Sequence, residues 1–257
     1  MSVVDPRLAS IKKNLGRFKL ILPVMSPKGG VGKTFVTALL AHILSHMHTP
    51  VSLLDADLTN PTLHIVLGLD AKNLKVAEDR GIKPFKVNEK LELMSLALFV
   101  DDYSIPLRGK DVENVVRELL AVTRWGGSVL LIDTPPGFSD THLELLKMLS
   151  AVNRAFIILV TTPGSVALRS IGRIVKILTL ESMKFVGVLG NMCTDFNDEL
   201  KVEVVARKYG IAHLGCVPFI DKIETYFGSN LVSILKDKDL EPLSITMLKH
   251  IEKLFGV

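Results

Sequence analysis

The run Leu20-Ile21-Leu22-Pro23-Val24-Met25-Ser26-Pro27-Lys28-Gly29-Gly30-Val31-Gly32-Lys33-Thr34 passes from an apolar strand, through a glycine-rich turn, into a helix that opens at Lys33. That context gives the turn its chemistry. Glycines allow successive backbone N–H groups to face one point, and the helix N-terminus adds its partial positive charge there. An anion of the phosphate type is what such a cradle suits. Lys33 is placed to reach the terminal phosphates, and the Thr34 hydroxyl to ligate Mg²⁺. The loop departs from the common G-x-x-x-x-G-K-T pattern in two ways: Pro27 stands for the first glycine, and a second lysine, Lys28, lies near its start.

Working outward, short apolar runs alternate with segments of helical periodicity along the whole chain, the pattern of a parallel sheet with helices on both faces. An α/β, doubly wound, mostly parallel sheet is therefore expected. Strands are predicted at 20–25, 51–54, 91–96, 129–132, 155–160, 185–189 and 213–217, and helices at 33–47, 112–122, 141–149, 166–178, 198–208 and 243–255. Residues 70–89 lose the pattern and read as a surface excursion, and residues 1–18 as an N-terminal arm. With no internal repeat, one domain over 1–257 is the economical count. Two strands deliver carboxylates to their C-terminal ends, where open α/β sheets bind ligands. Asp55 and Asp57 follow Val51–Leu54, and Asp133 follows Leu130-Leu131-Ile132. Asp133 fits a carboxylate that holds Mg²⁺ together with Thr34.

Composition excludes several classes. At 257 residues, 48% hydrophobic and 23% charged, the chain is globular and needs no staples. A net charge of +4 is too small for a protein that grips many phosphates of a nucleic acid, so a nucleic-acid partner is permitted but not implied. Two cysteines, Cys193 and Cys216, build no secreted scaffold and suit a reducing cytosol. No run is long enough to span a bilayer, and the basic start lacks an apolar leader, so a cytoplasmic protein is expected.

The paired lysines of the loop resemble the deviant Walker A class of P-loop NTPases, the MinD, ParA and Mrp-type ATPases. The resemblance implies a homodimer enclosing ATP, with Lys28 reaching the opposite subunit's nucleotide. Asp55-Ala56-Asp57-Leu58-Thr59-Asn60-Pro61, Arg108-Gly109, Trp125-Gly126, Asp133-Thr134-Pro135-Pro136-Gly137 and Thr161-Thr162-Pro163-Gly164 are similar to landmarks of the Mrp-type branch, the iron–sulfur carrier and scaffold ATPases. This likeness runs from about Lys19 onward. It implies a nucleotide site of Lys28, Gly29, Gly30, Val31, Gly32, Lys33, Thr34 and Phe35, with Asn191 and Pro218 at the adenine. Lys28, Lys33 and Asp57 become the catalytic set, with Asp57 orienting water, and Thr34, Asp55 and Asp133 the metal set.

One departure bears on cargo. Cluster-carrying members place a C-x-x-C pair after the Asn-Met element, whereas here Cys193 is followed by Thr194-Asp195-Phe196-Asn197. Cys216 ends the next predicted strand. The two thiols are either neighbours that could contribute to a bridging cluster or two small buried hydrophobes. The implied function is a slowly hydrolysing Mg²⁺-ATP switch that acts on a protein client or a cysteine-bearing paralogue. A positioning or partition ATPase of the MinD or ParA kind, acting on membrane or DNA, is the alternative. His42, His46 and His48 read as a solvated helix end. Lys12, Lys13, Arg17 and Lys19 read as a solvated part of the arm, and 243–255 as a closing helix packed on the sheet, although the same amphipathic pattern could lie on a membrane.

Overall fold

The computed structural model describes residues 5–70, 76–99, 109–228, 231–234 and 249–251. Its main sheet is built from β1 (Leu20–Met25), β2 (Val51–Asp55), β5 (Phe85–Lys86), β6 (Leu91–Met94), β7 (Val129–Asp133), β8 (Phe156–Thr161), β9 (Lys184–Cys193) and β10 (His213–Pro218). The order across it is β10-β9-β8-β1-β7-β2-β6-β5. All neighbours are parallel except β5, which runs antiparallel to β6. β3 (Ala77–Glu78) and β4 (Ile82–Lys83) form a small antiparallel ribbon. The expected excursion thus supplies this ribbon and the sheet's antiparallel edge.

Two apolar cores flank the sheet, and the strands feed both by turns. Leu20, Leu22 and Val24 face one core while Ile21 and Met25 face the other, and β7 divides Val129 and Leu131 from Leu130 and Ile132 in the same way. A period of two with apolar residues in both registers reads as an unbroken apolar run, which is why these strands are visible in the sequence. The first core is covered by α2 (Lys33–His46), α3 (Leu63–Val66) and α8 (Leu231–Ile234). The second is covered by α1 (Arg7–Leu15), α4 (Gly109–Val122), α5 (Asp140–Ser150), α6 (Ser165–Leu180) and α7 (Phe196–Lys208). Among the described residues no helix is long and apolar enough to cross a membrane.

Several expectations change. The N-terminal arm contains α1, whose Ile11 and Leu15, with Phe18 just beyond, are at most 2% exposed in the second core. Burying each contributes about 1.5–3 kcal/mol, which is more than a solvated arm would gain. Asn14 fastens the helix by donating to the carbonyls of Leu120 and Ala121 at 3.1 and 2.9 Å. The basic residues Lys12, Lys13, Arg17 and Lys19 are exposed, as expected of them. His42 is not at a solvated end: it is 6% exposed on the apolar α2, and burial, with the charge of His46 added, pushes it down to about 4. β6 stops at Met94, short of Leu96, because Ser95 caps a tight turn over Leu96–Leu98. The predicted helix 243–255 lies outside the described residues except for 249–251, and Arg108 also lies outside them.

Trp125-Gly126, a landmark of the resemblance, lies at the end of the sheet where β7 begins and has a packing role. The Trp125 ring meets Phe18 edge-on at 6.0 Å, and the Gly126 N–H donates to Glu92 at 2.7 Å. Gly127 cannot carry a side chain, since a Cβ would overlap the backbone of Ser52 on β2.

Candidate nucleotide-binding site

The C-terminal ends of β1, β7 and β2 lie side by side, with Val24 opposite Asp133 and Asp55 opposite Asp133 in register. The glycine-rich loop leaves β1 here and enters α2 at Lys33. Gly30 and Gly32 hold φ of +76° and +77°, which glycine adopts without the penalty a side chain brings. Val31 and Phe35 turn their side chains into the core, at 2% and 6% exposed, so only their backbone groups are left for a ligand. Gly29, Gly30 and Lys28 are exposed.

A polar knot closes the base of the loop. Lys33 and Asp133 are 6% and 1% exposed, and Lys33 Nζ donates to Asp133 Oδ1 at 2.6 Å. The Thr34 hydroxyl donates to Asp133 Oδ2 at 2.7 Å. Thr37, one helical turn beyond Lys33, lies 3.0 Å from both Asp133 Oδ1 and the Lys33 carbonyl and shares its proton between them. Sequence reasoning missed Thr37, though its spacing of four from Lys33 puts it on the same face of α2. A buried charge pair is tolerable only with its lone pairs and protons satisfied, and these hydroxyls supply that. Thr34 and Asp133 together offer hard oxygen donors at one point, a set that fits Mg²⁺ completed by phosphate oxygens and water.

Asp55, expected in the metal set, commits its oxygens elsewhere. Oδ1 accepts the Asp57 N–H at 3.2 Å, and Oδ2 accepts the Leu63 N–H at 3.2 Å and the Ser95 hydroxyl at 3.3 Å. Complete burial, with the Asp133 charge beside it, pushes its carboxyl well above the usual carboxylate range. Its visible task is to shape the turn that presents Asp57. Asp57 is half-buried, and its Oδ1 accepts from the Thr59 hydroxyl at 2.9 Å and the Asn60 N–H at 3.3 Å.

The segment after Asp133 is tied to β1 and to α5. The Thr134 hydroxyl donates to the Val24 carbonyl at 2.8 Å, and the Gly137 N–H to that of Ser26 at 3.2 Å. His142, 1% exposed and unnoticed in the sequence, clips this segment from behind. Its Nδ1 accepts the Ser139 N–H at 3.1 Å, so Nε2 carries the proton and donates to the Pro135 carbonyl at 3.0 Å. Burial is the main reason its pKa is lowered, which keeps this tautomer neutral. A Ser-x-x-His at a helix start is a variant of the capping box, and that was the available signal.

Asn191 and Pro218 are brought to the same end of the sheet by β9 and β10. Asn191, 3% exposed, donates from Nδ2 to the Val31 carbonyl at 2.8 Å. Its amide fills the space a Cβ on Gly32 would need. Pro218 is opposite Cys193 in register and makes no hydrogen bond to the loop. Cys193 and Cys216 are joined as a disulfide, with Cα atoms 6.2 Å apart. As a disulfide the pair has no thiolate to give a metal.

A strand, a glycine-rich loop closed by a lysine and threonine at a helix start, and an aspartate at the end of the neighbouring strand define a P-loop NTPase. The chain belongs to the ParA family described as NUBPL iron-transfer P-loop NTPase, which matches residues 17–254. The second lysine of the loop makes it a deviant Walker A member, and its family and relatives place it with the Mrp type. Among its relatives are the cytosolic Fe-S cluster assembly factor CFD1 of Candida glabrata, 31% identical over 94% of this chain and 92% of that protein. The iron-sulfur cluster carrier protein of Methanocaldococcus jannaschii is 29% identical over 96% and 89%. Among solved structures, a nucleotide-binding protein of Archaeoglobus fulgidus in complex with ADP superposes with a TM-score of 0.72 at 27% identity, covering 93% of this chain and 95% of its own. The cell division ATPase MinD of Pyrococcus furiosus shares the fold, with a TM-score of 0.64 at 19% identity over 92% and 100%.

Proposed function

We propose that this chain is a Mg²⁺-dependent ATPase that works as a homodimeric, nucleotide-driven switch in iron–sulfur cluster assembly. The observation that carries the reading is the buried knot of Lys33, Thr34 and Thr37 on Asp133 at the base of the loop. It stores, already desolvated, the cation and the anion that a metal–triphosphate would engage. Backbone N–H groups from Gly29 to Phe35 line the cradle, and Lys33 turns from Asp133 to the β and γ phosphates. Magnesium, when bound beside Thr34 and Asp133, would neutralise phosphate charge. Asp55 holds the turn of Asp57, and Asp57 orients the attacking water. Asn191 and Pro218 border the adenine. Lys28, exposed at the loop, reaches the nucleotide of a second copy. The segment from Pro135 to Ser139 reports nucleotide state, since contacts with the γ-phosphate are lost on hydrolysis.

The sulfurs of Cys193 and Cys216 are bonded to each other, and the C-x-x-C pair is missing. Both support a part in assembly played through ATP-dependent contact with a client or a cysteine-bearing paralogue. The names of the eukaryotic relatives support a cytoplasmic setting. The test is mass measurement in solution with and without Mg²⁺-ATP, for wild type and Asp57→Ala. A dimer that forms only with ATP, and whose lifetime lengthens in Asp57→Ala, is expected. Equal lifetimes would remove Asp57 from its role, and ATP-dependent co-sedimentation with liposomes or DNA would favour the positioning alternative.

A further inference from the structure

The ends of β9 and β10 carry the chain's two cysteines, and they also brace the phosphate loop. Asn191, two residues before Cys193, donates to the Val31 carbonyl at 2.8 Å, so the last turn of β9 supports the loop directly. Met192, between the two, holds φ at +61°, a left-handed conformation that a residue with a side chain keeps only where its surroundings impose it. The contacts beside it come from the end of β10 and the residue that follows. The Cys193 carbonyl accepts the Phe219 N–H at 2.8 Å, and Pro218 lies opposite Cys193 after shifts in register.

The disulfide joins these two strand ends. Cys193 and Cys216 have Cα atoms 6.2 Å apart, a span that a disulfide bridges. Gly190 leaves the space that the pair uses: a Cβ there would overlap the Cys216 sulfur and press on that of Cys193 at 3.2 Å. Among the described strands β10 is the outermost and pairs with β9. Access is one-sided, because Cys193 is 7% exposed while Cys216 is half-buried. Exchange therefore enters at Cys216.

We propose that Cys193 and Cys216 form a reversible redox pair whose disulfide braces Asn191 against the phosphate loop and so tightens nucleotide binding. The nucleotide half of this rests on the reading that the loop holds ATP. In reduction, a thiolate of a dithiol reductant attacks the Cys216 sulfur and breaks the Cys193–Cys216 bond. Cys193 departs as a thiolate and takes up a proton. The second thiol of the reductant resolves the mixed disulfide, so two electrons and two protons pass to the protein and the reductant becomes a cyclic disulfide. A low-molecular-weight disulfide of the glutathione class reverses the sequence.

The test poises the intact protein with dithiothreitol or with oxidised glutathione and counts free thiols by maleimide labelling. Hydrogen exchange at residues 190–194 and 29–33 and the affinity for a fluorescent ATP analogue are then measured in each form. Two thiols lost on oxidation, slower exchange at 190–194, and an affinity about fivefold tighter in the oxidised form are expected. Cys193→Ser and Cys216→Ser should each abolish the difference between conditions, and the wild-type comparison stands without them. Failure of the thiols to pair, or equal exchange in both forms, would overturn the proposal. Altered exchange with equal ATP affinity would overturn its link to nucleotide. If neither form bound nucleotide while exchange at 190–194 still differed, the ATP reading would fall and the redox brace would stand.

Discussion

Lys33→Met removes one half of a charge pair that water hardly reaches. Lys33 is 6% and Asp133 1% exposed, with 2.6 Å between Nζ and Oδ1. Methionine keeps most of the apolar stem, so the loss is electrostatic. Asp133 is left with the hydroxyls of Thr34 and Thr37 as its remaining partners. Breaking a buried pair by removing one partner costs about 3–5 kcal/mol. For a chain of this size each kcal/mol lowers the melting temperature by about 2–4 °C, so a fall of roughly 6–20 °C is expected. Asp133→Asn should cost a similar amount, because it strands the ammonium. The double variant Lys33→Met/Asp133→Asn buries no net charge and should recover about 2 kcal/mol or more relative to the sum of the singles. Thermal unfolding by circular dichroism without nucleotide measures all four proteins. Saturating Mg²⁺-ATP at about 100 times Kd should then add about 2.7 kcal/mol to wild type and nothing to Lys33→Met. A Lys33→Met protein melting within about 2 °C of wild type, or strictly additive singles, would refute the buried pair.

Other outcomes follow from neighbouring features. Gly32→Ala should lose nucleotide binding in a fluorescence titration while melting only a few degrees lower, since its φ of +77° and the Asn191 amide both resist a Cβ. His42 has a folded pKa of about 4 against an ordinary 6.5, and both ring nitrogens lack partners. The unfolded chain takes up the proton first, so this group's share of stability is full above about pH 6.5 and falls as pH drops toward 4. His42→Leu should remove about 2 kcal/mol of that acid sensitivity at pH 5, measured by urea unfolding at pH 5 and 8. Anaerobic reconstitution with iron and sulfide should leave the oxidised protein without bound iron; about four irons per dimer, lost in Cys193→Ser, would make the protein a cluster carrier in its own right.

What was legible in the sequence follows the range of the forces involved. β1 was predicted with its observed bounds because each face of it meets an apolar core, and the loop was legible because strand, glycines and helix are consecutive. α1 was not, since its apolar positions Ile11 and Leu15 sit among lysines and gain their meaning only from α4, about a hundred residues away. β9 runs to Cys193, four residues past its predicted end, because pairing with β8 and β10 outweighs the weak strand preference of Gly190 and Asn191. At the site the residue types were visible and their partners were not. Asp55 is legible as a carboxylate at a strand end, whereas the N–H groups of Asp57 and Leu63 that it accepts are not.

The knot at Asp133 also sets the terms on which a ligand enters. Without ligand, Lys33 and Asp133 occupy each other, and a lone anion or a lone cation would have to part them and leave one charge stranded. A triphosphate arriving with a divalent metal offers each a replacement in the same event. The cost of separation is then met once for two ligands, so metal and nucleotide should bind with positive cooperativity, each raising the other's affinity by the same factor. By the same logic chloride, free phosphate or a bare Mg²⁺ should bind weakly, because each has to compete with the protein's own ion pair for one of its members.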